Sequence, residues 1–488
     1  MSTALPTGFA VELDKATRIS RDGTLVFGGS PARLLRLNRR AADLLGGGAF
    51  TVRDTTSARL ARVLLDAGVV HPRPARPQPR SVAIVIPVRD RVDMLARVLR
   101  AVRTDPATAD VPVVVVDDGS RDGEAVRAVA SEHDAEVVRH ETSRGPAAAR
   151  NAGLRATAQE FVTFCDSDTV PLSDWLPPLL AQFDDPCVGL AAPRIVALPE
   201  ERETRIGAFE RTCSPLDLGA AEAPVIPMSK VAYVPSAAIV LRRSAAPGGF
   251  AEELRVAEDV DLCMRLHRAG WRLRYVPAAQ VAHDHRTDLV RWVARRAFYG
   301  SGAALLARRH PGQVPPMHVT GWSLLAVGLL LTRRPAAVAA ALGLSTVAGV
   351  RLARRMPDAD TPVRTAGLLT LAGLFSTAVQ LLRAGVRHHW PLALALAISS
   401  RRARRLLILW STVDALAERS RRGSRVDPVT FVALRRLDDL AYGAGVWWGA
   451  VRQRTPAPLV PKIAGFRCGR FRHRFRERSE CGLAHREP

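Results

Sequence analysis

The chain has 488 residues, of which 47% are hydrophobic, enough for a large core divided over about two to four domains. Its formal net charge is +23, carried almost entirely by arginine, and a uniform arginine excess can follow from genome base composition alone. The six cysteines are scattered without a paired metal-ligand spacing, which argues against a disulfide framework and fits a reducing cytosol. The first ten residues lack a basic start and a long apolar stretch, so no signal peptide is expected.

Residues 1–71 predict a small N-terminal domain with short strands placed around two helices. The helices are expected at residues 41–45 and 57–67, and the second should end at Gly68. This pattern favours a winged-helix-like domain, and it resembles the PqqD-like peptide-recognition domains of ribosomal-peptide modification systems. The resemblance implies peptide binding, and a plain structural role is the alternative. The proline-rich residues 72–80 predict a stiff, extended linker.

Residues 81–310 predict a domain in which strands and helices alternate. Short apolar runs of this kind are typical of buried parallel strands. Repeated strand–helix units predict an α/β fold with a doubly wound, mostly parallel sheet. The strands are expected at residues 82–87, 113–116, 136–138, 161–165 and 273–276, and the helices at residues 91–102, 123–131, 147–157 and 260–268.

Two acidic clusters carry most of the functional information in this domain. Asp166 and Asp168 follow an apolar strand, at the edge where open α/β sheets bind ligands. Two carboxylates one residue apart can hold a divalent cation against a diphosphate, because hard cations prefer oxygen ligands. Glu258 and Asp259 come much later in the chain and offer a separate carboxylate as a base. Together the clusters predict transfer of a group from a nucleotide.

Each motif also has a purely structural explanation. Residues 117–120 can cap a helix through Asp and Ser oxygens, and residues 144–146 can form an ordinary turn. Residues 166–168 can be a solvated strand end, and residues 258–259 can stabilise a helix start electrostatically. The occurrence of all four motifs in order along one predicted sheet favours the functional explanation.

In this order the motifs resemble glycosyltransferase family 2, whose members have the GT-A fold. The resemblance covers roughly residues 80 to 290. It implies transfer of a sugar from a UDP-sugar donor with Mn²⁺ or Mg²⁺ as cofactor. The motifs that carry it are Ile86-Pro87, Asp117-Asp118-Gly119-Ser120, residues 144–153, Asp166-Ser167-Asp168 and Glu258-Asp259.

The resemblance also implies a role for individual residues. Asp259 would be the general base that takes a proton from the acceptor hydroxyl, and Asp168 would bind the metal, with His283 as a further ligand. A loop histidine without such a role is the alternative for His283 and for His285. One base without a covalent intermediate implies inversion, so an α-linked donor would give a β-linked product. The substrate-binding residues implied in this way are Pro87, Asp117, Asp118, Arg144, Asn151, Asp166 and Glu258.

Residues 311–488 predict an apolar helical region followed by a basic tail. Apolar segments at residues 319–332, 335–350, 365–382 and 390–400 are flanked by arginines, and only residues 365–382 reach the ~20 residues of a spanning helix without a charge. This favours an interfacial or re-entrant hairpin on anionic lipid, at the cytoplasmic face of the membrane. The alternative is a buried helical domain of a cytoplasmic protein. No fold supports nucleic-acid binding by the tail.

The sequence therefore predicts an inverting, metal-dependent glycosyltransferase. The closer resemblance of the whole chain to an enzyme of ribosomal-peptide modification implies glucose from UDP-glucose and a hydroxyl of a peptide-derived acceptor. A membrane-associated enzyme acting on a lipid or cell-wall glycan is one alternative. A non-catalytic scaffold of a peptide-modification complex is the other. The intact Asp166, Asp168 and Asp259 favour an enzyme, because a scaffold has no physical need for them.

Overall fold

The computed structural model describes residues 4–74, 80–199, 203–285, 287–356 and 360–464. Its described residues form two compact units, one with residues up to 18 and from 26 to 285, the other with residues 19–25 and 287–464. The division between these two units falls at residue 287, and the domain boundary at residue 310 stays a prediction. The helix that begins at Leu289 packs against a later helix of the second unit, which the apolar pattern alone did not reveal.

The described N-terminal residues 4–74 contain short strands and two helices. These elements are β1 (Ala10–Leu13), β2 (Arg18–Ile19), β3 (Leu25–Gly28), β4 (Arg33–Arg36), α1 (Arg39–Leu45), β5 (Ala49–Thr51), α2 (Thr55–Ala67) and β6 (Val70–Arg73). Strand β1 pairs antiparallel with both β5 and β6, and β2, β3 and β4 form another sheet. Helix α2 begins with a capping box of Asp54 and Ser57 and ends at Gly68 in the left-handed conformation, as the sequence indicated.

This N-terminal part is docked on the large sheet of the same unit by ion pairs. Arg62 of α2 donates two hydrogen bonds to the carboxylate of Asp185, at 2.6 and 2.7 Å. Asp66, one turn later, accepts two from Arg272 at 2.6 and 2.8 Å. The predicted linker 72–80 begins inside strand β6, and its residues 75–79 lie outside the described residues. The N-terminal domain is thus held by its own contacts and does not depend on the linker for its position.

The large sheet is built from the strands of residues 82–283. The elements of this region are β7 (Val82–Val88), α3 (Val92–Thr104), β8 (Val113–Asp118), α4 (Gly123–Ser131), β9 (Ala135–His140), α5 (Pro146–Ala156), β10 (Phe161–Cys165), β11 (Thr169–Pro171), α6 (Leu176–Leu180), β12 (Val188–Ala197), α7 (Arg205–Cys213), β13 (Ala223–Pro224), β14 (Ala238–Arg242), α8 (Glu258–Arg268) and β15 (Arg272–His283). The strand order is β11-β15-β12-β14-β10-β7-β8-β9, and β13 pairs with β15.

The sheet is mixed, which corrects the prediction of a mostly parallel one. Strands β10, β7, β8 and β9 are parallel, as predicted for the nucleotide-binding half. Strand β14, however, runs antiparallel to both of its neighbours, β10 and β12. Every residue of β14 is buried, so its apolar run carries no information about its direction. The observed fold is a mixed α/β sheet.

Helices cover both faces of this sheet and so fix the motifs that follow its strands. On one face Ile84 and Ile86 of β7 join a core with Leu95 of α3, and on the other Val85 packs with α5. A Cβ atom at Gly153 of α5 would lie 2.2 Å from Cγ1 of Val85, so glycine allows this helix to approach the sheet closely. The motif residues on α5 are therefore held against the strand that bears Pro87.

The second unit is helical, and its apolar helices lie where the sequence predicted them. Its elements are α9 (Leu289–Arg309), β16 (His318–Thr320), α10 (Gly321–Thr332), α11 (Pro335–Ala353), α12 (Pro362–Arg387), α13 (Trp390–Ser399), α14 (Arg401–Arg422), α15 (Pro428–Arg452) and β17 (Lys462–Ala464). Helices α9 and α15 cross closely, because Gly300 and Gly445 leave room for the opposing backbone. A nearly buried ion pair of 2.6 Å between Arg296 and Asp438 joins the same helices. The basic tail lies outside the described residues.

Candidate active site

Asp117 and Asp118 end strand β8, and their side chains are held by the neighbouring strand. The parallel register sets Asp117 beside Arg139 and Asp118 beside His140. Asp117 is fully buried, forms an ion pair with Arg139, and accepts a hydrogen bond of 2.8 Å from the backbone N–H of Ser120. Nδ1 of His140 lies 2.8 Å from Oδ1 of Asp118. Both carboxylates therefore already have protein partners.

Asp118 also organises the loop that leads into α5. Its carboxylate accepts hydrogen bonds from the Ser143 hydroxyl at 2.7 Å and from the backbone N–H groups of Arg144 and Gly145 at 2.9 Å each. Burial alone would raise its pKa, but the hydrogen bonds from His140 and from this loop hold the pKa below its usual value. Gly119 has a φ of 71°, and a Cβ atom there would meet the backbone N of Ser143 at 2.7 Å, so this close approach requires glycine.

Arg150 connects the two acidic clusters. This side chain is 3% exposed, and it donates to Oδ1 of Asp166 at 2.6 Å and to Oε1 of Glu258 at 2.9 Å. Its guanidinium also lies over the ring of Phe250, 5.5 Å from the centroid. Burial disfavours the charge of Arg150, but the Coulombic attraction of the two carboxylates keeps its pKa above the ordinary value. Asp166 and Glu258, which are distant in sequence, thus share one buried cation.

Asp259 is the second residue of α8 and lies next to this cluster. The half-buried carboxylate accepts a hydrogen bond from the backbone N–H of Val260 at 2.8 Å and a longer one from Ser236 at 3.3 Å. Burial and the negative charge of Glu258 raise the pKa of Asp259 to about 7. A carboxylate whose pKa lies near the working pH suits general-base catalysis.

The residue before this pair has an unusual backbone conformation. Ala257 is the N-cap of α8 and has a φ of 65°, in the left-handed region that costs a residue with a Cβ atom about 1–2 kcal/mol. The conformation directs the chain into the helix that begins with Glu258 and Asp259. Strained backbone of this kind clusters at functional sites.

Asp168 and His283 lie together at the edge formed by β11 and β15. Asp168 forms an ion pair with Arg91, and its Oδ1 lies 3.5 Å from Nε2 of His283. The other ring nitrogen of His283, Nδ1, is buried and finds no hydrogen-bond partner among the described residues. His285 instead lies 3.9 Å from a buried carboxylate, that of Glu210. Of the two candidate histidines, only His283 is close to Asp168 in this structure.

Asn151 and Arg144 both contact the loop that precedes α8. Asn151 is buried, and its amide accepts from the backbone N–H of Phe250 at 2.8 Å and donates to the Phe250 carbonyl at 2.9 Å and to Glu252 at 3.0 Å. Arg144 is half exposed and forms an ion pair of 3.1 Å with the same Glu252. The side chain of Asn151 therefore holds this loop in place through hydrogen bonds to the backbone of Phe250. Pro87 lies half-buried near the end of β7, opposite Val116 of β8.

The structure brings together most residues that the sequence singled out, and it shows contacts of arginines to which the sequence assigned no role. Asp166, Glu258 and Asp259 share the surroundings of Arg150, and Asp168 and His283 lie close enough to Asp166 for their charges to affect its pKa. These arginines are Arg91, Arg139 and Arg150, each paired with a carboxylate of a motif. The sequence could have indicated a role for Arg150, because it is a charged residue in the otherwise alanine-rich start of α5.

The described residues include no group of three or more His, Cys, Asp or Glu side chains placed to hold a metal ion. A divalent cation held against a substrate diphosphate needs only one or two protein ligands, because the phosphates and water supply the rest. Asp168 and His283 fit that requirement, because Oδ1 of the carboxylate and Nε2 of the imidazole lie 3.5 Å apart, close enough to bind one cation together. A cation at this position would compete with Arg91 for the carboxylate of Asp168.

This chain is similar to proteins of a known family. Two relatives, both named Pre-mycofactocin glycosyltransferase and from Mycobacterium tuberculosis strains CDC 1551 and H37Rv, are 48% identical over 478 residues, covering 95% of this chain and 99% of theirs. A solved structure of the mannosyltransferase PcManGT from Pyrobaculum calidifontis, in complex with GDP-Man and Mn²⁺, is 22% identical with a TM-score of 0.38, covering 63% of this chain and 88% of that one. The family described as Glycosyl transferase family 2 matches residues 83–245. The chain thus belongs to glycosyltransferase family 2 and is a glycosyltransferase.

Proposed function

We propose that this enzyme transfers glucose from UDP-glucose to a hydroxyl of a peptide-derived redox-cofactor precursor, premycofactocin, with inversion at the anomeric carbon. The observation that carries the chemistry is Asp259, a carboxylate with a pKa of about 7 beside the Arg150 cluster. The acceptor is inferred from the two relatives, which match nearly the whole chain. Since the chain belongs to a glycosyltransferase family, the non-catalytic scaffold is not retained.

In the proposed reaction the acceptor hydroxyl attacks the anomeric carbon of the donor. The proton of the hydroxyl passes to the carboxylate of Asp259, a new carbon–oxygen bond forms, and the bond to the diphosphate breaks with its electron pair leaving on UDP. The two events are in line, so the configuration inverts. Help from a general base of this kind typically contributes ~10²–10⁴-fold to the rate.

Arg150 acts as a positioning residue in this proposal. It holds the carboxylates of Glu258 and Asp166 in fixed positions, because its buried guanidinium pairs with both. The negative charge of Glu258, held in this position, raises the pKa of Asp259. Arg150 therefore affects the pKa of the base Asp259 without contacting the acceptor. Glu258 affects the same pKa, in addition to any contact that it makes with substrate.

The metal site proposed for Mn²⁺ or Mg²⁺ consists of Asp168 and His283. A bound cation there would neutralise charge on the departing diphosphate as a Lewis acid. Arg91 would have to release the carboxylate of Asp168 on loading, and its guanidinium could then pair with the phosphates. Asp166 would contact the ribose while it remains paired with Arg150.

The uridine pocket is proposed at the ends of β7 and β8. Pro87 and the turn after Asp117 and Asp118 would line it, and Arg144 and Asn151 would close it. Because both aspartates already accept protein hydrogen bonds, Asp117 would mainly fix the turn at Ser120, and Asp118 would mainly hold the loop of residues 143–145 in place. Backbone groups of these two segments that do not contact the aspartates would then bind the base, and Asn151 would act through the Phe250 loop that it fixes.

A lipid or cell-wall glycan acceptor is the second candidate, favoured by the exposed apolar helices of the second unit. One experiment distinguishes between the two candidate acceptors. The purified chain would be incubated with UDP-glucose and Mn²⁺, and either premycofactocin or an extracted polyprenyl lipid, with product mass and UDP release followed together. A mass gain of one hexose on premycofactocin supports the proposal. Hexose incorporation only into lipid, with UDP release unaffected by premycofactocin, would reject it.

Peptide binding by the N-terminal domain is also a proposal. The ion pairs of Arg62 and Asp66 hold this domain beside the sheet that carries the active site. A bound peptide would thereby be kept near the catalytic domain, which raises its effective concentration. The affinity of the full chain for the precursor peptide, measured by calorimetry, tests this point, and absence of binding at millimolar peptide would leave the domain with a structural role.

A further inference from the structure

The helical unit exposes large apolar side chains on five successive helices, α10 to α14. Helix α13 has no buried residue, and its Leu392, Leu396 and Ile398 are 61%, 58% and 73% exposed. Phe375 of α12 is 70% exposed, and Leu331 of α10 is 67% exposed. Soluble monomers rarely expose apolar patches of more than a few hundred Å². A surface that extends over five helices therefore requires a covering partner.

These helices are not the core of a folded helical domain. Only 6% of the apolar window of α11 and 17% of that of α12 are buried. A core helix of comparable hydropathy would be mostly buried, because burial is what stabilises it. The expectation of a buried helical domain is thus not met by α11 and α12.

The charge of the same stretch is strongly one-sided. Residues 321–413 contain twelve arginines and two aspartates, Asp358 and Asp360. Arg383 and Arg387 pair with acidic residues of α14 and α15. The other arginines are exposed and lie at or near the ends of the apolar helices: Arg333, Arg334, Arg351, Arg354, Arg355, Arg364, Arg401, Arg402, Arg404 and Arg405. Apolar faces bordered by exposed cations complement a surface of acyl chains bordered by phosphate.

We infer that α10–α14 insert into the interface of an anionic lipid bilayer without crossing it. This inference rests on the helical unit alone and is independent of the proposed reaction. Helices α10 and α13, with 12 and 10 residues, are only about 18 and 15 Å long, about half the ~30 Å of a hydrocarbon core. They can be covered by lipid only if they lie in or near the plane of the interface.

Helices α11 and α12 are long enough to cross, but their charges argue against it. Helix α11 has Arg333 and Arg334 before its start and Arg351 and Arg354 at its end. A crossing would leave exposed arginines on both sides of the membrane, whereas loops of spanning segments concentrate their arginines on the cytoplasmic side. With the helices in the interface, the exposed arginines at the helix ends can all reach lipid phosphate on the same side by extending their side chains.

Binding is tested by flotation of the purified full chain with vesicles of phosphatidylcholine alone or mixed with phosphatidylglycerol. We expect tight binding to the mixed vesicles, weakened by salt. The double variant Arg401→Glu, Arg404→Glu should lose at least ~25-fold in affinity for mixed vesicles, from about fivefold per basic residue near the surface. The matched control Arg59→Glu, Arg100→Glu changes two exposed arginines of the first unit by the same charge and should bind as the unmodified chain does.

An apolar variant separates insertion from simple charge attraction. Leu396→Ser with Ile398→Ser alters only exposed side chains of α13, so the fold should be preserved. It should weaken binding to both kinds of vesicle. If the charge variant and the unmodified chain bound mixed vesicles equally, the inference that these arginines bind anionic lipid would be wrong. Failure to bind any vesicle, with a stable dimer by light scattering, would show that a second copy covers the apolar face.

Sidedness is tested by cysteine labelling of the two ends of α11 in cells. Arg333→Cys and Arg354→Cys would be treated with a membrane-impermeant maleimide before and after permeabilisation, with the unmodified chain as background for its native cysteines. Insertion without crossing predicts that neither position is labelled in intact cells and that both are labelled after permeabilisation. Labelling of exactly one of them in intact cells would show that α11 spans the membrane and would overturn the inference.

Discussion

Asp259 should set the pH dependence of transfer, because its pKa is about 7 when the ordinary value is 3.8. A base with this pKa is about one-tenth ionised at pH 6 and about nine-tenths ionised at pH 8. The value of kcat/KM should therefore rise about tenfold between these pH values and level off above. Asp259→Asn keeps the size of the side chain but removes the base, so its rate should fall ~10²–10⁴-fold and lose this pH dependence.

A variant at Glu258 tests why the pKa of Asp259 is raised. Glu258→Gln removes the neighbouring negative charge, the largest cause after burial, so the midpoint of the pH profile should move to lower pH. Arg150 keeps its other partner, Asp166, in this variant. Titration of UDP into each variant serves as the control for an intact donor site. A wild-type midpoint near pH 4, or a midpoint unchanged in Glu258→Gln, would refute the reasoning.

The same pKa shift predicts an effect on stability with a definite sign. A carboxyl group whose folded pKa is raised binds its proton more tightly in the folded state, so stability falls as pH rises from about 4 to about 7. A shift of about three units corresponds to at most ~4 kcal/mol at ~1.36 kcal/mol per unit. Asp259→Asn should therefore raise the free energy of unfolding at pH 8 and leave it unchanged near pH 4. Equal stabilities of variant and wild type at pH 8 would contradict the raised pKa.

Three further changes test the surrounding structure. Asp168→Asn should abolish the gain in UDP affinity that Mn²⁺ gives the wild type in calorimetry, and an undiminished gain would exclude Asp168 as a ligand. Arg150→Met should lower the free energy of unfolding by about 3–5 kcal/mol at neutral pH, since two carboxylates lose their buried cation, whereas Arg150→Lys should lose less. Deleting residues 1–74 should reduce the unfolding temperature, because Asp185 and Arg272 lose their partners, and an unchanged unfolding temperature would show that the docking contributes no stability.

The parallel half of the sheet was predictable because its signals are local. Apolar runs located β7, β8 and β10, and α4 and β10 were predicted with the observed bounds. The other half was not, since the direction of β14 depends on pairing with β10 and β12, which lie far away in sequence. Periodicity records which residues are buried and carries no information about strand order or direction.

The candidate site shows the same division between local and non-local information. The acidic residues were identifiable because they follow strands or begin a helix. Their partners were not, since the pairing of Arg150 with both Asp166 and Glu258 depends on how α5 packs beside β10 and α8. The docking of α2 by Arg62 and Asp66 is likewise a tertiary contact. The proline-rich run that follows α2 indicated a stiff linker and gave no indication of this contact.

The central claim is tested most directly by NMR of the product formed from premycofactocin and UDP-glucose labelled with ¹³C at the anomeric carbon. This single measurement reports whether a sugar is transferred, to which hydroxyl, and in which configuration. The account predicts one or more glucosyl units joined by β linkages to a hydroxyl of the acceptor, formed by the wild type and not by Asp259→Asn. An α-linked product, or product formed at the wild-type rate by Asp259→Asn, would contradict it.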